Sequence, residues 1–313
     1  MAVLSAESSF AQQYPSRPVR FIVPYPPGGA TDILSRSLGR KMSAALGQQF
    51  IIENRAGGGQ IIGTDIVAKA PADGYTILLV SVTHSINPGL QPSLPYDSFK
   101  DFAPISFVAQ SPNVVVVHPG LAAKSIKELI ALAKTKPGAL NCATSGIGSG
   151  GHLAGELFKS LAGIDLTFVP YKGGSLAYVD LMAGQADLMF TSPNPTLSYA
   201  KAGKLRALAM TGSTRSAAAP ELPTVAEASG FTNYQAYLWY GVMAPAKTPP
   251  EIITRLHAEI VKALQAPDVR EPLAAEAVEI VGSSPEEFSK ILQSEAAKWL
   301  KVIKDANICL ANQ

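Results

Sequence analysis

Short β-branched apolar runs alternate with stretches of helical apolar period along most of this chain. The runs fall at 19–23, 49–53, 76–82, 113–118, 141–144, 166–169, 186–190, 205–210, 238–243 and 279–281. A parallel neighbour strand needs a crossover, usually a helix, so strands separated by helical stretches read as βαβ units. The pattern predicts an α/β protein with mostly parallel sheets flanked by helices. These short strands are too many for one small sheet.

The helical stretches carry their own punctuation. Ser125-Ile126-Lys127-Glu128 is a capping-box sequence, in which a hydroxyl and a carboxylate satisfy free N–H groups of the first turn, and Pro137-Gly138 ends the helix it opens. Ser284-Pro285-Glu286-Glu287 is a second, with proline at a position where a missing N–H costs nothing. The helix it starts presents Phe288, Ile291, Leu292, Trp299, Val302 and Ile303 on one stripe. Thr248-Pro249 opens another, carrying Ile252, Ile253, Leu256, Ile260 and Leu264.

One internal echo stands out. Val23-Pro24-Tyr25-Pro26-Pro27-Gly28-Gly29 resembles Val169-Pro170-Tyr171-Lys172-Gly173-Gly174, each a strand end followed by a double glycine that opens a helix. The spacing between later matching segments differs, which excludes a solenoid repeat. Two lobes that each present a strand-to-helix turn fit the pattern.

Length and charge narrow the function. At roughly 150 residues per domain, 313 residues favour two domains. Lys+Arg 26 against Asp+Glu 24 leaves a net charge of +2, so no charge imbalance draws the chain to nucleic acid or an anionic membrane. The apolar runs at 75–82 and 114–117 are far shorter than the ~18 residues of a membrane span. Cys142 and Cys309 lack CxxC spacing, which excludes a metal knuckle or redox pair; one disulfide or two buried thiols both remain open. Residues 1–11 read MAVLSAESSFA, with a small-x-small Ser9-Phe10-Ala11 but neither a basic start nor a long apolar run, as in the remnant of an export signal or a disordered leader.

Three glycine turns supply candidate chemistry. A strand that ends in such a turn and feeds a helix points unpaired N–H groups outward at the positive end of the helix dipole, a natural anion site. The candidates are Pro26-Pro27-Gly28-Gly29-Ala30-Thr31-Asp32, Ser145-Gly146-Ile147-Gly148-Ser149-Gly150-Gly151 and Lys172-Gly173-Gly174-Ser175; the bland reading of each is a tight turn. Gly146, Gly148 and Gly151 fit G-x-G-x-x-G, but a dinucleotide fold wants an acidic residue at the far end of the next strand, and Pro170-Tyr171 stands there. No G-x-S-x-G elbow, H-E-x-x-H pair or Walker lysine occurs, and neither cofactor nor metal is expected. His84 follows a strand and His152 adjoins the second glycine turn, so both are candidate contacts; His118 and His257 read as structural. Open α/β sheets bind ligands at the carboxyl ends of their strands. That rule gathers Tyr25 to Thr31, Thr83-His84, Ser145 to Gly151, Tyr171 to Ser175 and Thr191-Ser192 into one cleft. Amide-lined and poor in acidic groups, it suits a small carboxylate, with Tyr25 and Tyr171 as flanking aromatics.

Eight ordered motifs then carry a family resemblance. Tyr14-Pro15-Ser16-Arg17-Pro18-Val19-Arg20, Val23-Pro24-Tyr25-Pro26-Pro27-Gly28-Gly29-Ala30-Thr31-Asp32, Glu53-Asn54-Arg55, Ala72-Asp73-Gly74-Tyr75-Thr76, His152-Leu153-Ala154-Gly155-Glu156-Leu157-Phe158, Val169-Pro170-Tyr171-Lys172-Gly173, Ala202-Gly203-Lys204-Leu205-Arg206-Ala207-Leu208-Ala209 and Leu222-Pro223-Thr224-Val225-Ala226-Glu227 resemble the substrate-binding receptors of tripartite tricarboxylate transporters, the Bug family.

The resemblance implies a periplasmic, two-lobed Venus-flytrap binding protein, a monomer, with lobe one at 12–112 plus 236–313 and lobe two at 113–235. It implies a mono- or dicarboxylate, aliphatic or aromatic, held by Tyr25, Pro27, Gly28, Gly29, Ala30, Thr31, Asp32, Thr83 and His84 from lobe one. Lobe two would add Ser145, Gly146, Gly148, Ser149, Gly150, Tyr171, Phe190 and Thr191, the last standing where relatives often carry Asp. Membrane permease subunits are the implied partner. The competing reading is an enzyme on the same scaffold with His84 or His152 as base.

Overall fold

The computed structural model describes residues 14–308 apart from 29, 92 and 276. Residues 1–11 and Cys309 therefore lie outside the described residues, and with them the leader and the cysteine pairing; Cys142 is a fully buried free thiol. The strands are β1 (Val19–Val23), β2 (Phe50–Asn54), β3 (Thr76–Ser81), β4 (Phe102–Pro112), β5 (Val114–Val117), β6 (Asn141–Thr144), β7 (Thr167–Pro170), β8 (Leu188–Thr191), β9 (Arg206–Met210), β10 (Tyr237–Pro245) and β11 (Glu279–Ile280). The helices are α1 (Ala30–Leu46), α2 (Ile61–Ala68), α3 (Val82–Leu90), α4 (Ile126–Thr135), α5 (Gly150–Ala162), α6 (Gly174–Met182), α7 (Pro193–Lys201), α8 (Val225–Ser229), α9 (Pro250–Leu264), α10 (Pro267–Ala275) and α11 (Pro285–Asp305).

The strands form two sheets and two lobes. One sheet has the order β11-β4-β10-β3-β1-β2, the other β7-β6-β8-β5-β9. Both are mixed: β2, β1 and β3 run parallel, as do β7, β6 and β8, while β10 and β5 are inserted antiparallel to their neighbours. Of the reversed strands, β10 and β5 stand next to the passages between lobes, and β11 pairs antiparallel with β4 at the sheet edge. The chain leaves the first sheet after β4 and returns into it at β10.

Thr211 fastens those two passages together. Its hydroxyl accepts the Asn113 N–H at 2.7 Å, its own N–H donates to the Asn113 carbonyl at 2.9 Å, and its carbonyl accepts the Ala236 N–H at 2.9 Å. Fully buried, these bonds have no water to replace them, so they hold the crossing strands as a pair.

Period-two alternation decides the packing. Phe21, Val23, Ile77 and Leu79 pack on Leu34, Leu38 and Met42 of α1 and Leu256 and Ile260 of α9. Their neighbours Ile22, Leu78 and Val80 face the opposite core, which continues through Phe107, Trp239, Phe288 and Trp299 to Val115, Phe158 and Phe190 of the second lobe. Each fully buried Leu, Phe or Ile contributes about 1.5–3 kcal/mol. The α11 stripe is buried as the sequence predicts, except that Ile291 is only partly covered and Ala296 takes a buried place.

Two elements differ from the sequence reading. β4 is long and unmarked by alternation, because its register against β10 shifts twice: Ile105 and Val108 are each passed over in the ladder and still fully buried. Two bulges break the period that betrays a strand. The segment after β3, where no helix is marked in the sequence pattern, is α3, which Ser81 caps by accepting the Thr83 N–H at 3.3 Å. Pro88 near its end hides it from helix periodicity.

Candidate functional site

β1 ends at Val23 and the chain turns through three prolines, Pro24, Pro26 and Pro27, before α1. Proline fixes φ and removes donors, so the turn is stiff until Gly28. Gly28 has φ 91°, and nothing lies within 4 Å of where its Cβ would stand. Behind it Asp32, 5% exposed, folds back: one oxygen accepts Gly28 N–H and Arg36 Nε, both at 3.0 Å, and the other accepts Asn54 Nδ2 at 3.1 Å. The Arg36 guanidinium first, with the Gly28 and Asn54 bonds, holds this carboxyl below the usual range. Asp32 thus anchors the base of the turn. Gly29 lies outside the described residues, and Thr31 is buried with its carbonyl accepting the Ser35 hydroxyl at 2.7 Å.

The Tyr25 hydroxyl bonds Ser81, with Thr83 and Gln60 beside it. Burial pushes its ionisation up, leaving it a neutral donor and acceptor. Ser81 and Gln60 were not singled out from sequence. Ser81 could have been found, since it occupies the carboxyl end of a predicted strand; Gln60, in a left-handed conformation before α2, carries no such signal.

The second glycine turn is built by its own side chains. Gly146 and Gly148 have φ of 145° and 72°. Gly148 N–H donates to His152 Nδ1 at 3.0 Å, and Ser149 caps α5 by accepting the His152 N–H at 3.3 Å. Burial, then the charge of Lys159, pushes the His152 imidazole down to about 4, so it is a neutral acceptor that holds the loop. Across the lobe boundary, a Cβ on Gly148 would stand 2.7 Å from Leu90 of α3, and one on Gly150 would collide with Leu238 of β10. The turn therefore lies against lobe one, and a side chain at either place would have to push a leucine tip aside. Gly151 in turn covers the Phe190 carbonyl.

Other predicted residues sit elsewhere. The His84 ring, 3% exposed, is enclosed in lobe one, where Nε2 donates to the Ser98 carbonyl at 2.7 Å and the ring meets Phe102 edge-on. Burial pushes it down to about 4. Held within α3, His84 faces the core and not the cleft. Phe190, 1% exposed, stacks at 5.6 Å on Phe158 inside the core, so its ring is packing. Tyr171 donates its hydroxyl to Asp180 at 2.8 Å, and the Thr191 hydroxyl meets that of Tyr178 at 2.9 Å. Pro27 and Gly28 are exposed at the turn. The arrangement brings together Tyr25, Thr83, Ser81 and Gln60 on one wall, and sets Gly148 and Gly150 against the same lobe.

Chemically this is an amide- and hydroxyl-rich boundary at the N-termini of α1 and α5, with dipoles that favour negative charge. Each candidate base has a structural partner for a ring nitrogen, and neither is paired with a nucleophile. Among the described residues no helix is long and apolar enough to cross a membrane.

Comparison with known proteins agrees with this geometry. Residues 34–308 match the tripartite tricarboxylate transporter family receptor. The protein BugT of Bordetella pertussis is 40% identical over 94% of this chain and 91% of its own. A solved periplasmic transporter is 39% identical, with TM-score 0.79, over 95% of this chain and 99% of its own. Rpa4515 of R. palustris, solved with adipate, is 36% identical, with TM-score 0.81, over 95% of this chain and 100% of its own. The chain belongs to the tripartite tricarboxylate transporter receptor family and is a periplasmic solute-binding receptor, not an enzyme.

Proposed function

We propose that this receptor captures a small carboxylate between its lobes and delivers it, as a monomer, to the membrane subunits of a tripartite transporter. The lobes divide near residues 112 and 236. One carboxylate end is held by the backbone of the Gly28 to Thr31 turn, beside the hydroxyls of Tyr25, Ser81 and Thr83. Lobe two contributes Ser145, Gly146, Ser149 and Gly150. The observation that carries this reading is the seating of the second glycine turn against Leu90 and Leu238 of the opposite lobe, which brings the N-terminus of α5 to the boundary between the lobes. A guest there makes its full contacts only when both lobes are engaged, so it favours the closed arrangement. Adipate bound to Rpa4515 supports the ligand class.

A thermal-shift screen of adipate, malate, benzoate, glucose and putrescine tests it. A true ligand at 100 times its Kd adds about 2.7 kcal/mol of stability. Stabilisation by one or more carboxylates, with intact ligand recovered after denaturation, is expected; stabilisation confined to the sugar or the amine would end the proposal.

A further inference from the structure

β5 is valine from Val114 to Val117, yet the residue before it is Asn113, 1% exposed. Its backbone is fully engaged: the N–H donates to the Thr211 hydroxyl at 2.7 Å and the carbonyl accepts the Thr211 N–H at 2.9 Å. The side chain is different. Among the described residues, none bonds Asn113 Nδ2. Buried polar groups are nearly always paired, and an amide donor left without an acceptor has given up its water for nothing. An apolar residue, as at the four positions that follow, would avoid that cost.

The strand register fixes where this donor stands. β5 runs antiparallel to β8 with Val114 opposite Thr191, so Asn113 lies one step past the carboxyl end of β8. That is the edge at which α/β sheets bind ligands, and the edge from which the second glycine turn leaves β6. Period-two alternation puts Asn113 on the face of Val115, which shares a core with Phe190 and with Leu153 and Phe158 of α5. The N-terminus of α5 sits over the same edge, since a Cβ on Gly151 would collide with the Phe190 carbonyl oxygen. From lobe one, Leu238 pairs with Ser111, two residues before Asn113, and is the side chain that Gly150 approaches. A buried amide with an unused donor thus shares an edge and a face with a helix N-terminus, in the passage between the lobes.

We propose that Asn113 is a ligand-binding residue of this receptor, its Nδ2 donating to an oxygen of the carboxylate that the α5 N-terminus attracts. The inference rests on the carboxylate reading of the cleft and adds to it a side chain that recognises the anion without a formal charge. Thr211 fixes the backbone from which the amide projects, so little freedom is lost when the bond forms. A carboxylate, which only accepts, satisfies this donor; an ammonium, which only donates, leaves it unpaired. The bond to an ionised acceptor is also the stronger kind.

Adipate, malate and benzoate are the probes, in calorimetry against wild type, Asn113→Ala and Asn113→Leu, with denaturant unfolding of each unliganded protein. The probe that binds wild type most tightly is expected to lose at least tenfold in affinity in both variants. Unliganded Asn113→Leu, close to asparagine in size, is expected to unfold at no lower denaturant than wild type, because the donor it removes had no partner. Undiminished affinity in Asn113→Ala overturns this inference and leaves the receptor reading standing. Affinity lost together with unliganded stability in both variants also overturns it, making the amide a structural group. If none of the three binds wild type, the carboxylate reading itself fails, and this inference with it.

Discussion

The turns that follow β1 and β7 share the order Val-Pro-Tyr and a double glycine, yet their surroundings give them different chemistry. β1 is an interior strand between β2 and β3, whereas β7 pairs with β6 alone at a sheet edge. Tyr25 therefore finds the end of β3 beside it and bonds Ser81 there. Tyr171 has no outer strand to meet and drops its hydroxyl onto Asp180 of the following helix. Aligned on the double glycines, Asp32 of the first turn faces Ala177 of the second. Gly28 N–H is taken by the Asp32 carboxylate; Gly173 N–H goes to the Ser145 carbonyl at 3.2 Å. A local motif thus fixes a backbone shape, and the neighbouring strand decides what the shape is used for.

The largest test of that contrast is a matched pair. Gly28 and Gly173 have positive φ, 91° and 108°, and neither has an atom within 4 Å of its missing Cβ. Aspartate at either place meets the same backbone strain, about 1–2 kcal/mol, so a difference in binding reports on the site. Gly28→Asp is expected to weaken adipate binding by calorimetry at least ~100-fold, about 2.7 kcal/mol, and Gly173→Asp by less than ~3-fold. Equal losses would show that the two turns serve the ligand alike.

Next in size is the carboxylate that separates the turns. Asp32→Asn is expected to cost about 1–2 kcal/mol in denaturant unfolding at pH 7, since charge-assisted bonds to Arg36 and Gly28 weaken, with a discount for the half-exposed guanidinium. Asp180→Asn keeps an acceptor for Tyr171 and is expected to change stability by less than about 0.5 kcal/mol. The Asp32 carboxyl is depressed in the fold, so its contribution is complete above the unfolded value and disappears as pH falls through the folded one. The gap between wild type and Asp32→Asn should close in acid; a gap that widens would contradict the charge assignment.

How far the sequence could be read follows from the same contrast. Features written in local pattern were legible: the ten runs at strand positions, the caps at Ser125 and Ser284, and the glycine turns. Even there, Glu128 bonds the Lys124 N–H one residue further back than a reciprocal box requires. Features set by partners distant in sequence were not. Bulges against β10 hid β4, Pro88 hid α3, and with α3 went the expectation that His84 faces a ligand. Gln60 meets Tyr25 across the fold, with no local pattern to mark it.

The smallest effect isolates the two tyrosine hydroxyls. In Tyr25→Phe the buried Ser81 hydroxyl loses its closest partner and keeps the Thr83 N–H at 3.3 Å and Thr83 Oγ1 at 3.4 Å, both long bonds. A buried group left so poorly paired costs about 1 kcal/mol, and adipate binding is expected to fall several-fold because the wall beside Gly28 loses its rigid contact. In Tyr171→Phe the Asp180 carboxylate is partly exposed and water replaces the lost donor, so stability should move by less than about 0.5 kcal/mol and affinity hardly at all. Calorimetry of both variants against adipate reads the difference. If Tyr171→Phe proves the more damaging, the aromatic that borders the ligand belongs to lobe two, and the edge position of β7 would then present its tyrosine to the cleft after closure instead of withholding it.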